Sequence, residues 1–365
     1  MTETLKSLLH DDADGVDFAA PDLDAITRTG DRRRRTRRGF ALLGTAALVA
    51  ATAGGVVLAT GDDGGDRRTP VATDPLPTDQ VTWVTGDRLH TPTSSVDLGH
   101  EVRSYVRTSA GFAFVATGGA VFSFVDGTIT EVGSTSAKAA RLVGDTDGSR
   151  VGWVDASDGA PVFVVHDLAT GETRTLEGET SAGMGELADE DDPAYFAALD
   201  GDDAWWRDAR GLVRTDLGSG EATVVDADQS NGFGLLAVED GLTVTDGGDA
   251  GTRVGGLTLP QVYGSAGALS PDGTWVSVDA DEPSVFATAD GTRVSFDLPG
   301  FATGYEFLDD ETVVMIAQAR ESDPVQLLTC VVPAGTCTVA VPDLGSWDDL
   351  SAAGLALPVG EPAAD

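Results

Sequence analysis
Lysine is nearly missing from this sequence. Lys6 and Lys138 are the whole supply, and Asn231 is the sole asparagine. Both residue types use AT-rich codons, so a GC-rich genome accounts for the shortage without any function. Metal ligands are scarce too: the four histidines are His10, His90, His100 and His166, and the two cysteines are Cys330 and Cys337. No histidine has another His, a Cys or a carboxylate at a metal-ligand spacing beyond the acidic neighbours that so acidic a chain supplies anyway. With a single Cys pair and no His near it, a zinc or redox role is not expected. No Gly-x-Ser-x-Gly elbow and no phosphate-binding glycine loop occurs, and Gly264-Ser265-Ala266-Gly267 is too short a match to use. No catalytic residue, no cofactor-binding residue and no cofactor is assigned on these grounds.

Positive charge is short everywhere except in one block. The formal net charge is −37, and up to Thr60 the basic residues roughly balance the acids. The negative excess therefore lies beyond that point. Such a body repels nucleic acid, anionic lipid and teichoic-type polymers, and it attracts divalent cations and cationic partners. Its plainest role is to keep an exported domain soluble.

Long apolar runs are missing as well, with one exception. Residues 39–60 are 22 uncharged residues, preceded by Arg32-Arg33-Arg34-Arg35-Thr36-Arg37-Arg38 and followed by Gly61-Asp62-Asp63. At 1.5 Å per residue this run spans a hydrocarbon core roughly 30 Å thick. Basic flanks stay cytoplasmic, so the pattern predicts a single-pass membrane helix with its N-terminus inside and the large body outside. Thr36-Arg37-Arg38-Gly39-Phe40-Ala41-Leu42 resembles a twin-arginine export signal, with Leu42 where that pattern has Lys, and Ala51-Thr52-Ala53 offers a small-x-small cleavage site. A retained anchor is the expectation, and secretion after cleavage the alternative.

Residues 1–38 read as a largely disordered cytoplasmic tail able to fold on a cytoplasmic protein partner. Its position is similar to that of the cytoplasmic ends of transmembrane anti-sigma factors, although the His-plus-paired-Cys motif of their zinc type is absent. Residues 61–80 read as a Gly/Pro linker.

Sustained helical periodicity is lacking from Val81 onward. In its place short β-prone runs alternate with Gly/Asp turns. Arg141–Val154, Ala268–Val278 and Phe307–Ile316 repeat one hairpin phrase; Val162–Leu176, Leu212–Val225 and Val285–Phe296 repeat a second. Four strands per unit at a period of roughly 30–50 residues predict an all-β fold, a propeller over residues 81–360. Six units are read at about 103–133, 139–177, 194–226, 231–259, 263–299 and 303–344. Strands from 81–98 and 355–358 then make a blade shared by both termini. Seven blades are favoured, with six or eight as alternatives. Ser270-Pro271-Asp272-Gly273 is similar to the turn of Tol-type and WD-type propeller repeats, and Asp167-Leu168-Ala169-Thr170-Gly171-Glu172 resembles their outer hairpin turn. The resemblance implies a bacterial membrane-anchored propeller and is non-specific as to function.

Asp145-Thr146-Asp147-Gly148-Ser149 has the start of a calcium loop but lacks its distal Glu, and it reads as a hairpin turn. Glu186, Asp189, Glu190, Asp191 and Asp192 are a denser acidic cluster for which a solvated loop is the first reading and weak divalent binding the second. Trp205-Trp206 puts one indole on each face of a strand, and Trp153 and Trp275 recur at a matching blade position, so core packing precedes glycan binding as their account. Cys330 and Cys337 flank a Pro/Gly turn and are expected to form a disulfide outside the cell. The function expected is a binding or scaffold module for an extracytoplasmic protein or glycan. The alternatives are an exported propeller lyase or hydrolase with axial carboxylates, and a membrane-tethered regulator acting through residues 1–31.

Overall fold
Asp-Gly turns close hairpins, and hairpins with one apolar face must stack to bury it. The computed structural model describes residues 78–135, 140–155, 162–176, 178, 195–227, 234–246, 251–259, 267–278 and 284–363. The tail and membrane span expected in 1–77, and the acidic cluster at 186–192, lie outside the described residues. Among the described residues no helix is long and apolar enough to cross a membrane.

Seven antiparallel sheets form a seven-bladed propeller. Blade 1 joins the two chain ends: β1 (Trp83–Thr85), β2 (Arg88–His90) and β3 (Ser95–Asp97) pair with β27 (Leu355–Ala356) in the order β27-β1-β2-β3. Blade 2 is β4 (Val102–Thr108), β5 (Gly111–Ala116), β6 (Ala120–Val125) and β7 (Thr128–Ser134). Blade 3 is β8 (Leu142–Gly144), β9 (Arg150–Asp155), β10 (Val162–Asp167) and β11 (Thr173–Leu176). Blade 4 is β12 (Tyr195–Asp200), β13 (Asp203–Asp208), β14 (Gly211–Asp216) and β15 (Ala222–Asp226). Blade 5 is β16 (Leu235–Glu239), β17 (Leu242–Asp246), β18 (Thr252–Val254) and β19 (Leu257–Leu259). Blade 6 has β20 (Gly267–Leu269), β21 (Trp275–Val278) and β22 (Val285–Ala287). Blade 7 is β23 (Phe301–Phe307), β24 (Thr312–Gln318), β25 (Gln326–Val331) and β26 (Thr336–Val341), followed by α1 (Trp347–Ala352).

The core sits between blades. Seven buried clusters each combine side chains of two neighbouring sheets, so every blade contributes one face to each side. Trp206 packs with Phe163 and Phe196 between blades 3 and 4, while Trp205 packs with Leu235 and Val238 between blades 4 and 5. Successive strand residues point to opposite faces, which is what one indole per face requires. Trp153 is buried between blades 2 and 3, and Trp275 packs between blades 6 and 7. The outer hairpin phrase has a mechanical account. The Asp167 carboxylate accepts from Ala169 N and Thr170 N at 2.9 and 3.0 Å, and Leu168 turns inward and donates its N–H to Ser149 O.

Two elements differ from the sequence expectation. The run 293–296 alternates like a strand, but it pairs with β22 only through the Phe286–Arg293 bridge and its flanking bonds, leaving blade 6 three-stranded. The β25–β26 turn at Gly335 lies on the Ser295 carbonyl, and Val294, Phe296 and Leu298 pack onto the core of blade 7 instead. The second difference is α1, a helix of six residues capped by Ser346, whose hydroxyl accepts from Asp349 N while Asp349 returns to Ser346 N.

Cys330 and Cys337 are directly opposed in β25 and β26 and joined by a disulfide, with Cα atoms 4.0 Å apart. Cys330 is fully buried in the blade 6–7 core. Replacing both cysteines by alanine is expected to cost about 2 kcal/mol, since the closed loop is short and the constraint it removes from the unfolded chain is small. Denaturation midpoints measured with and without reductant check this: wild type in reductant should fall to the variant's value, and the variant should not respond.

Candidate functional site
The inner strands decide what the propeller axis presents. β4, β8, β12, β16, β20 and β23, with the short β27, are the first strands of their sheets and meet their counterparts in neighbouring blades. Their residues are mostly buried, whereas the last strands, β7, β11, β15 and β26, are largely exposed. Each sheet therefore stands with β4-type strands on the axis and β7-type strands at the rim.

The segment that follows β27 covers the inner edge of β4. After β27 the chain turns at Leu357, whose carbonyl accepts from Val359 N, and runs back along the free edge of β4. Val359 bridges Val106, Gly360 N donates to Tyr105 O at 2.9 Å and Ala363 N donates to Arg103 O at 2.6 Å. Gly360 O accepts from Leu142 N of β8. Gly360 has φ +71°, and any side chain there would run into the Leu142 carbonyl and Val106, so this position requires glycine. Glu361 ends the passage beside Arg141, 3.4 Å away.

A buried ion pair stands where the inner strands end. Arg107 of β4 lies 3.1 Å from Glu306 of β23, with side chains 4% and 9% exposed. β27 has only two residues, so Arg107 reaches past blade 1 to blade 7. Its guanidinium also donates to Thr78 O at 2.6 Å and Phe307 O at 3.0 Å, which ties the chain's entry to both flanking blades. A β-bulge between Gly304 and Glu306 re-aims this part of β23. Glu306 Oε1 has no hydrogen-bond partner among the described residues. Burial pushes the Glu306 carboxyl up to about 7, against the pull of Arg107. Tyr105 is also buried here, 3.3 Å from Thr82 Oγ1, and burial with the charge of Glu306 raises its phenol above the usual range.

The same mouth is acidic over blades 3 to 5. Asp145 follows β8, Asp200 ends β12, and Glu239 ends β16. Asp240 and Gly241, at φ 49° and 72°, form the two-residue turn that an Asp-Gly pair favours. That turn aims both of its N–H groups across the blade boundary: Asp240 N donates to Asp200 Oδ1 at 3.0 Å and Gly241 N to Oδ2 at 2.8 Å. Asp145 is 3% exposed, accepts from Gly148 N, and is pushed up to about 7 by burial and by a hydrogen bond with the Asp147 carboxyl. Glu239 is 9% exposed and is pushed up to about 9, first by burial and then by Asp147, Asp200, Asp145 and Asp240. On the rim, Arg150 joins blades 3 and 4 by a 2.9 Å contact with Asp202.

The sequence-level candidates fall into place unevenly. The 145–149 segment is a hairpin turn, closed by Asp145 N on Arg150 O. Among the described residues no three His, Cys, Asp or Glu side chains are placed to hold a metal ion. The three described histidines are dispersed. His90 stacks on Trp83, His100 stacks on Phe122, and His166 bonds Thr173 Oγ1 at 2.8 Å, with burial drawing its imidazole below the usual range. His166 lines an open cleft of about 450 Å³ between the outer strands of blades 2 and 3. Arg107, Asp200, Glu239 and Glu306 were not singled out by sequence reasoning. A signal existed for three of the acids. Aligning the units places Asp145, Asp200 and Glu239 in one column, the end of the first strand. Nothing in a linear pattern pairs Arg107 with Glu306.

No protein-family model matches this sequence, and no curated protein matches it. Solved structures similar to it include the WD40 repeats of RRP9, at 12% identity and TM-score 0.45, covering 68% of this chain and 84% of that one. TolB from Acinetobacter baumannii is similar at 13% identity and TM-score 0.41, covering 81% and 69%. A chain of the mitotic checkpoint complex is similar at 12% identity and TM-score 0.44, covering 82% and 90%. Identities this low say nothing about function.

Proposed function
We propose that this protein is a non-enzymatic binding platform, held outside the cytoplasm by the single span at 39–60, with its partner engaging the acidic mouth of the propeller. The observation that carries the reading is that the inner edges of two blades are already taken by the chain itself. The segment 357–363 threads along β4 and β8, so what remains for recognition at this end is the rim of turns that follow the inner strands. The rim is rigid. Asp200 is locked to the next blade by two backbone bonds, and Ser109 N bonds Gly148 O across blades 2 and 3. A rigid, charged rim favours selective docking, because little order is lost on binding and the field steers partners of opposite charge. The membrane address rests on the length of the apolar run and on the arginine block that precedes it.

One experiment on the full-length chain in intact cells tests both halves. A photocrosslinking residue at Asp147 or Asp240 should give a discrete adduct, and one at Val225 on the exposed strand β15 should not. Protease added outside the cells should then degrade the propeller and leave the tail. A platform with no adduct at either rim position is wrong, and a propeller that survives until the cells are lysed is on the wrong side of the membrane.

A further inference from the structure
We propose that the seam where the ring closes holds an internal water site, in which ordered water is the partner of Glu306 Oε1 and of the Tyr305 hydroxyl on blade 7. The seam is built differently from the other blade boundaries. Neighbouring blades elsewhere meet through apolar clusters. At the closure, Arg107 of blade 2 reaches past the short β27 to Glu306 of blade 7. Thr82, just before β1, and Tyr105 of β4 stand with that pair, their hydroxyls 3.3 Å apart. Thr82, Tyr105, Arg107 and Glu306 are all buried.

Two atoms of this group are sealed from solvent and have no hydrogen-bond partner among the described residues: Glu306 Oε1 and Tyr305 Oη. The Tyr305 ring is only half-buried, so it is the hydroxyl end that points inward. The two atoms belong to adjacent residues, which an unbroken strand sends to opposite faces. The β-bulge between Gly304 and Glu306 suspends that alternation. As a result the Tyr305 hydroxyl lies in the field of Glu306, of Tyr105 across the seam and of Arg107. A buried polar group without a partner bears the full penalty of lost hydration, and nearly all such groups in folded proteins are paired with protein or with ordered water.

The lining selects water over an ion. Arg107 and ionised Glu306 already sum to zero, so any ion added beside them would be a buried charge without compensation. A cation would also face the guanidinium, and among the described residues no three His, Cys, Asp or Glu side chains are placed to hold a metal. The protonic state of Glu306 points the same way. Burial raises its carboxyl to about 7, so near neutral pH it exists both as a carboxylate that only accepts and as a carboxyl that donates. Its partner must be able to do both, and water can. An internal water needs two to four polar partners. Glu306 and Tyr305 are two, and the Tyr105 phenol, on which the Glu306 charge also acts, offers a third.

The sign of one substitution tests this in the full-length chain. Tyr305→Phe removes the hydroxyl and keeps the ring. A hydrated hydroxyl is a hydrogen bond lost, so the urea midpoint should fall; a dry one is a penalty relieved, and the midpoint would rise. A crystal structure should show a water oxygen within about 3.2 Å of Glu306 Oε1, and the same water or its bonded neighbour equally close to Tyr305 Oη. Oxygen-17 relaxation dispersion counts waters held for longer than the molecule takes to tumble. That count should drop by at least one when Arg107→Met and Glu306→Leu are combined, which leaves the seam apolar, and should not change in Asp126→Asn in the distant β6–β7 turn. A midpoint that rises or stays put in Tyr305→Phe would remove the water from the seam. So would a direct bond between Tyr305 Oη and Glu306 Oε1 in the crystal, an ion with oxygen neighbours at about 2.4 Å in place of water, or a count that the double variant leaves unaltered.

Discussion
Arg107→Met is expected to be the most damaging single substitution in the ring, costing about 3–5 kcal/mol at pH 8. The change strips three acceptors of their donor at once: Glu306, Thr78 O and Phe307 O. Of these the carboxylate matters most, because a buried charge without its partner pays nearly the whole cost of desolvation. The loss should depend on pH in a direction that identifies the cause. Burial raises Glu306 to about 7 even against the pull of the guanidinium, and without the guanidinium it rises further. At pH 6 the orphaned carboxyl therefore takes up a proton and the penalty shrinks, while at pH 8 ionisation is imposed and the penalty is large. Adding Glu306→Leu should recover most of the loss, as replacing both partners of a buried pair often does. Urea midpoints for the single and double variants at the two pH values decide the matter. An equal loss at pH 6 and pH 8 would assign the damage to packing.

Raising the pH from 5 to 9 is expected to destabilise the wild-type propeller by about 1.4 kcal/mol for each proton and each pH unit involved. The direction follows from three carboxyls whose folded values lie above their unfolded ones: Asp145 and Glu306 at about 7, and Glu239 at about 9. A carboxyl raised in this way is bound to its proton more firmly in the folded state. Its contribution is complete below the unfolded value near 4 and is lost as pH climbs through the folded value. Asp167, Asp216, Asp272, Asp290 and Asp349 act in the opposite sense, each held low by turn or cap donors once burial is set against them. Their contribution is already complete by about pH 5, so it does not mask the decline above it. Glu239→Gln, which carries no titrating proton, should be more stable than wild type at pH 9 and should flatten the profile between 7 and 9. Melting temperatures across pH 5–9 measure this, and a wild-type profile that rises with pH would remove the buried acids from the account.

The blades were legible for a physical reason. Their turns need Gly and Asp, and their strands need alternating apolar residues, so each hairpin is written locally. Even the shared blade was legible, since Trp83-Val84 and Leu355-Ala356 are apolar pairs isolated by turn residues. Residues 293–298 show where local legibility stops. Their alternation satisfies a strand and is used for an inward–outward rhythm, but the neighbouring blade takes the apolar side chains and the ladder is lost. The Ser346–Asp349 capping box was visible as a pattern and was passed over within an all-β reading. The ion pair lay beyond any local rule. Arg107 and the Phe307 carbonyl it holds are 200 residues apart in sequence, and only closure of the ring brings them together.

The threaded terminus has a consequence for biosynthesis. β27 and the run to Ala363 are the last described residues to be made, yet they complete the first blade and line the shaft that the other six surround. During translation β1 must wait, unpaired on one edge, until β27 has been made. Loss of β27 would therefore leave blade 1 with an unpaired, adhesive edge, and quality control would meet that species at the very start of the molecule's life.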